Sequence, residues 1–379
     1  MRKRKLCIIT SVHDYNDRRI FDREAMTLLK SGYSIDIIAP TGKDVFVYQG
    51  INIIGIPKLP KMLRPLNWFM ILAHCFSGKY DLFHFHDPDL LLVGIILKIF
   101  SNGSVIYDVH EHYPDRIMIY AKRNNFIANL LRFLIRALEN VAARIVRNLV
   151  VVEDTQYQRF SRLGCNVQIL YNYARLDQYP GFDNGRSYDR KVVLHTGTLS
   201  VARGALQLVE IVRGVTAKRN DIAFLFVDRF LSEVERKILI GKIQDAGLEQ
   251  HFRFIPQVPV EQMPTILEQG DIGISLLLPV GQYHKAIPTK FFEYMAEGLA
   301  IIAENSYYSR KFIQESNCGI LCDYDDIDGF VARIIRLCEN PELTKKLGLN
   351  GRNAFESRYN WNCQEAALEQ YYRDILESH

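Results

Sequence analysis

A segment in the second half of the chain has residues suited to binding a diphosphate. The apolar run Val192–His195 predicts a strand, and Gly197 and Thr198 follow it in a tight turn. Arg203 and Gly204 come just before the next helical pattern. A helix N-terminus carries partial positive charge, and a guanidinium matches phosphate geometry, so this turn is a candidate diphosphate site. Read alone, a strand–glycine–helix turn in an α/β domain is more often purely structural.

A second segment, further along the chain, combines helix signals with polar residues at the helix start. Pro288 suits the first turn of a helix, and Gly298 suits its end. Thr289 and Lys290 would then lie at the positive end of the helix dipole, where they could bind phosphate. Glu293, one turn further, could accept hydrogen bonds from two ribose hydroxyls. The alternative is a capped amphipathic helix with one surface glutamate, but together with the first segment we favour binding.

In the first half of the chain, polar residues follow a predicted first strand, Leu6–Thr10. His13 and Asp14 lie in the loop after this strand, where they could position an acceptor hydroxyl. Arg19 could contact a phosphate group on either substrate of a group-transfer reaction, the acceptor or the donor. The alternative is that Asp17 and Arg19 only pair with each other to fix the loop.

A later predicted strand, Leu82–His86, contains two histidines that alternate with phenylalanines. Histidines within such a strand are more often buried structural residues than ligands. We therefore single out only Asp87, at the strand end, as a candidate acceptor-binding residue, because ligands of α/β sheets bind beyond the carboxyl ends of strands.

Several motifs of other enzyme classes are absent from the sequence. No GxGxxG follows the first strand and no GxxxxGK[ST] occurs, so neither a dinucleotide fingerprint nor a Walker loop is present. No Asp-x-Asp of the type that holds a divalent ion in metal-dependent transferases is recognisable; the nearest to it, Asp87-Pro88-Asp89, lies in the half that does not carry the candidate phosphate site. The seven cysteines form no CxxC pair and suggest neither a zinc site nor a disulfide framework. We expect no metal and no cofactor.

The pattern of elements predicts an α/β fold with two parallel sheets. Short apolar runs alternate with amphipathic helical stretches, which is typical of strands covered on both faces. The pattern stops near residues 172–190, where proline, glycine, aspartate and asparagine cluster. We predict a first domain over residues 1–172, a linker over 173–190, a second domain over 191–360, and a final helix over 361–379.

Charge is distributed unevenly between the two halves. The first 150 residues carry 21 Lys and Arg against 13 Asp and Glu, whereas the remainder carries 26 against 30. A basic first half favours an anionic partner, either a membrane surface or a phosphorylated acceptor, although ordinary solvated charge explains it equally well. The apolar runs are too short to span a bilayer, and the reducing cytoplasm is the simplest location. No nucleic-acid-binding module is recognisable.

One long basic stretch, residues 115–147, has arginines and lysines among apolar residues at helical spacing. A basic amphipathic helix can lie on an anionic membrane, and a cytoplasmic protein at the inner face of the membrane would use it so. The slightly favoured alternative is a domain helix with one apolar face. The basic residues of this stretch are Arg116, Lys122, Arg123, Arg132, Arg136, Arg144 and Arg147.

These segments resemble a known family, the retaining glycosyltransferases of family four (glycosyltransferase group 1), bacterial surface-polysaccharide type. The resemblance covers nearly the whole chain. It includes the His-x-x-x-Asp-x-Arg-Ile-Phe segment ending at Phe21, the strand end at Asp81–Asp87, the Asp-x-His-Glu strand end at Asp108–Glu111, and the tryptophan-containing final helix. The resemblance implies the GT-B fold, in which two doubly wound Rossmann-like domains face each other across a cleft. Residues 1–172 would then be the acceptor-binding domain and residues 191–360 the donor-binding domain, and the helix over 361–379 would pack back on the first domain.

The resemblance also implies roles for individual residues. Arg203 would bind the donor diphosphate, and Glu293 would bind the ribose. His110 falls at the strand end that in this family faces the sugar at the reacting centre, and Glu111 beside it would face the acceptor. Catalysis would rest on His110, Arg203 and Lys290, with Gly197 completing the diphosphate turn.

Three positions depart from the family pattern. Lys285 stands where the first glutamate of the family's pair contacts sugar hydroxyls, and Thr198 replaces an arginine that binds phosphate. Pro288 replaces a glycine whose N–H serves phosphate. We hypothesise that Lys290 supplies the missing positive charge.

The sequence therefore predicts a glycosyltransferase that moves a hexose-type sugar from a nucleotide diphosphate sugar to a lipid-linked or saccharide acceptor with retention of configuration. UDP is preferred over GDP as the nucleotide on family frequency. One alternative is a nucleotide-sugar 2-epimerase of the same fold, which acts without an acceptor. Another is a non-catalytic protein that only binds sugar nucleotides, as the missing first glutamate would allow.

Overall fold

The protein is described from a computed structural model that covers residues 3–42, 44–116, 125–180, 182 and 187–378. The chain divides into two compact units. The first unit comprises Met1–Asn172 together with Gln364–His379, and the second comprises Tyr173–Cys363. Lys122 and Arg123 of the predicted basic stretch lie outside the described residues.

The strands of the first unit are buried apolar runs that form one sheet. Within the described ranges eight strands are ordered β3-β4-β2-β1-β5-β6-β7-β8. All neighbouring strands are parallel except β3 and β4, which form an antiparallel hairpin. The strands are β1 (Lys5–Ile9), β2 (Ser34–Ala39), β3 (Val45–Tyr48), β4 (Ile51–Gly55), β5 (Leu82–Phe85), β6 (Ser104–Val109), β7 (Asn148–Val151) and β8 (Asn166–Ile169).

Helices of the first unit connect these strands. They are α1 (Met26–Lys30), which continues a π-helical segment, Arg18–Ala25, and then α2 (Asn67–Ser77), α3 (Leu91–Phe100), α4 (Tyr113–Arg116), α5 (Phe126–Val146) and α6 (Asp154–Ser161). Residues of α2, α3 and α5 share one apolar core with β1, β5 and β6, so these three helices cover the same face of the sheet.

The second unit has a purely parallel sheet. Among the described residues its six strands are ordered β11-β10-β9-β12-β13-β14. They are β9 (Val192–His195), β10 (Ala223–Val227), β11 (Arg253–Ile255), β12 (Ile272–Ser275), β13 (Ala300–Glu304) and β14 (Gly319–Cys322). The helices between and after them are α7 (Ala205–Thr216), α8 (Glu233–Asp245), α9 (Met263–Leu267), α10 (Lys290–Ala296), α11 (Tyr307–Ser309), α12 (Ile327–Glu339) and α13 (Pro341–Ser357).

The last helix, α14 (Asn362–Glu377), belongs to the first unit from Gln364 onward. Tyr371 donates its hydroxyl hydrogen bond to the carbonyls of Leu149 and Asn166, at 3.0 and 2.9 Å. The chain thus returns to complete the unit in which it began. The predicted α/β class with two doubly wound domains is confirmed.

Candidate active site

In the second unit, the two predicted phosphate-binding segments come together. Lys290 lies at the start of α10, and its Nζ is 3.3 Å from Nδ1 of His195 at the end of β9. Gly197 lies directly beside this ammonium group, since a Cβ atom built on Gly197 would be 2.8 Å from Nζ. A side chain at position 197 would therefore displace Lys290. The glycine is required for close approach rather than for a special backbone angle.

Tyr294 fixes the start of α10 against the strand ends. Its buried hydroxyl accepts a hydrogen bond from the backbone N–H of Thr196 at 3.1 Å and lies 3.2 Å from the carbonyl of Ile274. The ring packs on Gly273 so closely that an added Cβ there would meet it at 2.4 Å. This packing sets the position of Lys290, one turn earlier in the same helix.

Arg203 lies in the connection between β9 and α7, and its charge acts on both His195 and Lys290. It ends a 3-10 turn, Val201–Arg203, and Gly204 then adopts φ of 76°, which favours glycine, before α7 begins. The guanidinium donates from Nε to the hydroxyl of Tyr283 at 3.2 Å and lies 5.0 Å above that ring. A hydrogen bond and a cation–π contact thus orient a permanent positive charge.

The buried carboxyl group of Glu304 influences the charge state of Lys290. Burial lowers the pKa of Lys290 to about 7, although Glu304 acts in the opposite direction and Arg203 adds to the decrease. Burial likewise raises the pKa of Glu304, at the end of β13, to about 7. The Glu304 carboxyl accepts a hydrogen bond from the N–H of Leu277 at 3.2 Å. An incoming diphosphate would favour the charged form of Lys290, because opposite charges in a buried site interact strongly.

The remaining predicted donor residues surround the start of α10. Thr289 is exposed and immediately precedes the helix, and Glu293 is half-buried one turn further along. Thr198 is half-buried next to Gly197. The helix begins at Lys290, two residues later than the proline signal indicated, so Pro288 precedes the helix instead of occupying its first turn.

In the first unit, the predicted residues cluster at the carboxyl ends of β1, β5 and β6. Asp87 is buried, and its Oδ2 accepts hydrogen bonds from Thr10 Oγ1 and the N–H of Ser11, both at 2.7 Å. Its Oδ1 lies 3.5 Å from Nε2 of His13. The rings of His13 and His110 are 5.4 Å apart between centroids. Asp87 thereby ties the β1 loop to the end of β5 and holds His13 beside His110.

Arg19 is an internal residue in this structure. Its guanidinium donates to both carboxylate oxygens of Asp108, at 2.9 to 3.2 Å, and to the carbonyl of Leu170 at 3.0 Å. Asp17 does not pair with the Arg19 side chain; its carboxylate accepts hydrogen bonds from the backbone N–H groups of Arg19 and Ile20. Asp17 therefore caps a helical segment, while Arg19 neutralises a buried carboxylate.

The other two acceptor candidates lie nearer solvent. Asp14 forms an exposed ion pair with Lys58 at 3.4 Å. Glu111 pairs with Arg116 at 2.8 Å. Such exposed pairs contribute little to stability, so both carboxylates remain available for exchange with a polar ligand.

His110 differs from these residues because it is nearly buried and contacts another histidine. Its Nε2 lies 2.8 Å from Nδ1 of His86. Burial lowers the pKa of His110 to about 4, with Asp108 acting in the opposite direction. His110 is therefore neutral near physiological pH.

Beneath His110 lies a buried polar group of Glu24, His84, His86 and Asp108, whose ligand-type atoms are within 4.8 Å of one another. Such a donor set could hold a metal ion by spacing alone. The guanidinium of Arg19, however, already contacts both Asp108 oxygens and lies 3.1 Å from Glu24 Oε1. The group therefore has its own cation, and we assign it no metal.

Sequence reasoning did not single out Glu24, Glu304 or Tyr283 as site residues. Glu24 was hidden because it lies in a helical segment where a glutamate ordinarily faces solvent. Glu304 ends a strand, and the strand-end rule applied to Asp87 would have identified it.

Two family models together match most of this chain. A model of the glycosyltransferase family 4 domain matches residues 19–178, and a model of the glycosyl transferases group 1 domain matches residues 182–354. Phosphatidyl-myo-inositol mannosyltransferase of Mycolicibacterium smegmatis is 20% identical over 364 residues, covering 93% of this chain and 88% of that protein. Spore coat protein SA of Bacillus subtilis is 22% identical over 287 residues, covering 70% and 74%.

Solved structures share the fold over the full length. Sucrose-phosphate synthase from Thermosynechococcus elongatus superposes with a TM-score of 0.79 at 18% identity, covering 100% of both chains. HepE from Anabaena, solved with UDP and glucose, has a TM-score of 0.74 at 15% identity and covers 99% of this chain and 100% of that one. Two Rossmann-like α/β domains and the two adjacent family matches define a GT-B glycosyltransferase. The chain belongs to the group 1 glycosyltransferases.

Within the described ranges, every helix is too short or too polar to pass through a bilayer.

Proposed function

We propose that this enzyme transfers a hexose-type sugar from a nucleotide diphosphate sugar to an acceptor hydroxyl. The observation that carries the proposal is the meeting of Lys290 with Gly197 and His195 at the end of β9, with Arg203 acting on the same ammonium group. A departing nucleoside diphosphate gains negative charge on its β-phosphate. Two cations held in a partly buried site stabilise that charge without reorganising during the reaction.

The donor-binding residues have distinct roles in this proposal. Arg203 is the permanent cation of the diphosphate site, and Lys290 takes the place of the family's missing phosphate-binding arginine. Thr289 and Thr198 add hydroxyl donors beside the phosphates, and Glu293 accepts from the ribose hydroxyls. UDP is the preferred nucleotide and GDP the alternative. The HepE structures solved with UDP and with UDP-glucose support a uridine nucleotide by analogy.

The proposed chemistry proceeds with retention of configuration and without a bound metal. The bond between the anomeric carbon and the β-phosphate oxygen breaks, and the acceptor oxygen bonds to the same face of the sugar. The departing phosphate accepts the acceptor's proton, so no side chain is needed as a general base. His110, neutral and close to the loop of β1, orients the sugar and takes no proton.

The acceptor is proposed to be lipid-linked or an oligosaccharide, as in the synthesis of a bacterial surface polysaccharide. His13, held between Asp87 and Asp17, is the acceptor-binding residue best supported by its contacts. Burial lowers the pKa of His13, but the hydrogen bond to Asp17 and the charge of Asp87 outweigh this and raise it. Asp14 and Glu111 provide exposed carboxylates for sugar hydroxyls. Arg19 has no place among the substrate-binding residues, of acceptor or donor, because its guanidinium is hydrogen-bonded to Asp108 and Leu170 inside the unit.

The exposed face of helix α5 supports peripheral attachment of the protein to the anionic inner face of the cytoplasmic membrane. Its large apolar side chains point outward, with Phe126 76%, Phe133 67% and Leu138 60% exposed. Its buried side consists largely of small residues such as Ala142 and Ala143. A domain helix normally has the opposite arrangement, with large residues inside. The alternative of an ordinary domain helix with one apolar face does not account for this second, outward apolar face.

The charge distribution on α5 also favours an anionic membrane as its partner. Arg136 and Arg144 are exposed, whereas the one acidic residue of the helix, Glu139, is buried and paired with Arg159 at 2.6 Å. An exposed face with arginine and no carboxylate complements anionic headgroups. Exposed residues Phe69 of α2 and Phe100 of α3, in the same layer, extend the apolar surface.

Incubation with sugar nucleotides tests the function. UDP-glucose, UDP-N-acetylglucosamine and GDP-mannose are first screened by thermal shift, since a ligand that binds the native state raises the unfolding midpoint. At least one should raise it, and the shift should be lost in Arg203→Ala. The bound donor is then incubated alone and with membrane lipids. Transfer to lipid supports the proposal, an epimerised donor supports a 2-epimerase, and binding without any turnover supports a sugar-nucleotide-binding protein.

A further inference from the structure

The side chains beneath His110 form a connected polar group that nothing in the transfer chemistry above uses. Glu24, His84, His86 and Asp108 are each at most 1% exposed. The rings of His84 and His86 are 4.4 Å apart between centroids. Buried polar groups are costly unless they are hydrogen-bonded, so the arrangement of protons in this group is strongly constrained.

Arg19 fixes the charge of Asp108. Burial alone would raise the pKa of Asp108, but the two-pronged contact with Arg19 holds it well below its usual range. Arg19 and Asp108 therefore form a neutral ion pair. Glu24 lies beside this pair, and burial together with the negative charge of Asp108 raises its pKa well above normal.

Tyr372 fixes the proton of His84. The hydroxyl of Tyr372 lies 2.6 Å from Nδ1 of His84, and burial raises the pKa of this phenol well above normal. The phenol stays protonated and donates to Nδ1. His84 therefore carries its proton on Nε2, which faces Asp108 Oδ2 at 3.6 Å.

His86 then has two ways to share a proton with His110. In the first, His86 donates from Nδ1 to His110 Nε2, and its own Nε2 accepts a proton held by Glu24, whose Oε2 lies 3.7 Å away. In the second, His110 donates from Nε2, which also lies 3.4 Å from Asp108 Oδ1, and His86 donates to an ionised Glu24.

Charge decides between the two arrangements. With Glu24 ionised, the buried group has two carboxylates against one guanidinium, and an uncompensated charge remains in a site of low dielectric constant. With Glu24 protonated, the group is neutral. An unpaired buried charge is far more costly than the small side-chain adjustment that would bring Glu24 Oε2 and His86 Nε2 from 3.7 Å to hydrogen-bond distance. The first arrangement also gives a hydrogen-bond partner to Glu24 Oε2 and to His86 Nε2, neither of which has one within hydrogen-bond distance among the described residues.

We propose that Glu24 and His86 are positioning residues that hold His110 in a single neutral tautomer. Nε2 of His110 accepts from His86, and Nδ1 carries the proton as a hydrogen-bond donor for the sugar. The inference about the sugar rests on the proposed function, whereas the tautomer itself does not. Arg19 keeps the protons in place by neutralising Asp108.

Nitrogen-15 NMR of ring-labelled histidine in the full-length protein tests the tautomer directly. The His110 signals are assigned from their loss in His110→Gln. In the wild-type protein Nδ1 of His110 should be protonated and Nε2 unprotonated. The opposite tautomer, or rapid exchange between the two, overturns the proposal. The tautomer is measured on the wild-type protein, so the result does not depend on whether variants of Glu24 or His86 fold.

Two substitutions of Glu24 separate positioning from packing. Glu24→Gln keeps a donor toward His86, so it should retain the tautomer and most of the turnover. Glu24→Leu removes the donor, so it should release the tautomer and lower kcat about tenfold or more, with donor KM nearly unchanged. Equal effects of both variants contradict the positioning role. A correct tautomer in an enzyme that transfers no sugar would leave this inference standing and count against the proposed function.

Discussion

At the residue scale, the candidate donor site depends on how closely Gly197 and Lys290 approach. Gly197→Ala would place a methyl group 2.8 Å from Lys290 Nζ, well inside contact distance. The variant should fold with nearly unchanged thermal stability, because the flexible lysine can move. Its affinity for a nucleoside diphosphate should fall about tenfold, equivalent to about 1.4 kcal/mol. Calorimetric titration with UDP and GDP measures the loss.

Gly241→Ala is the matched control for this substitution. Gly241 lies in α8, and an added Cβ there meets no atom within 4 Å. This variant should bind nucleotide like the wild type and should be slightly more stable, since alanine favours a helix over glycine. Equal losses in the two variants would show that Gly197 has no special relation to Lys290.

The pKa of about 7 at Lys290 predicts a pH dependence of binding. The diphosphate needs the charged form, which is present below pH 7 and is lost as the pH rises. Nucleoside diphosphate affinity should therefore weaken between about pH 7 and pH 9. Lys290→Arg, whose side chain stays charged, should bind with little change over this range. An affinity in the wild type that is constant with pH would contradict a role for Lys290 in contacting phosphate.

Single residues show where sequence reasoning succeeds and where it stops. That Arg203, Lys290 and Gly197 come together was predictable, because a conformational signal or a charge marks each of them at a turn near a strand end. Their roles in binding stay predictions. Arg19 was predicted as a ligand contact but lies inside the unit, because its partner Asp108 is 89 positions away and only the fold brings them together. Pairing over such distances leaves no local pattern in the sequence.

At the element scale, α5 has its small residues inside and its large apolar residues outside. Phe133→Glu and Leu138→Glu together should reduce binding to vesicles of anionic phosphatidylglycerol about tenfold or more, because two carboxylates would face the lipid. Vesicle cosedimentation measures this. The fold should be retained, since both side chains are exposed.

The control for α5 is an exposed apolar residue elsewhere. Val234, 67% exposed at the start of α8, offers a comparable surface change in the second unit. Val234→Glu should leave vesicle binding unchanged, and neutral phosphatidylcholine vesicles should bind the wild type weakly. Undiminished binding of the α5 variant to anionic vesicles would show that this helix does not contact the membrane.

Elements were predictable in proportion to the strength of their periodicity. The strands predicted at Leu6–Thr10, Leu82–His86 and Val192–His195 agree within one residue with β1, β5 and β9, because their apolar runs are nearly continuous. Strand β3 was missed because it lies at the sheet edge, where half of its residues are exposed. The start of α10 was placed at Pro288, whereas the preceding 3-10 turn and extended residues delay the helix to Lys290.

At the scale of the whole molecule, the last helix completes the first unit. Leu368, Tyr371, Tyr372, Ile375 and Leu376 of α14 are buried. Burying a large apolar side chain contributes about 1.5–3 kcal/mol, so their sum is comparable to the total stability of a domain. Deletion of residues 364–379 should therefore unfold the first unit.

Limited proteolysis followed by mass spectrometry tests this deletion. Peptides from residues 3–172 should become susceptible, while those from 173–363 should stay protected. Removal of only the last two residues is the control and should change nothing. Full protection of the first unit in the long deletion would mean that α14 is not part of its core.

The amphipathic pattern of the final helix predicted its existence, and the family resemblance predicted where it packs. Composition could not have predicted where the helix packs, since an apolar face fits any complementary surface. Its contacts are set by particular hydrogen bonds, such as that from Tyr372 to His84.

We propose that Arg203 and Lys290 together bind one diphosphate. Calorimetric titration of UDP and of GDP into the wild type, Arg203→Ala, Lys290→Ala and the surface control Lys237→Ala separates their contribution from that of general surface charge. We expect the wild type and Lys237→Ala to bind at least one nucleotide equally well, and each of the other variants to bind it about tenfold more weakly or worse. Failure of the wild type to bind either nucleotide, or undiminished binding by both site variants, would contradict the claim.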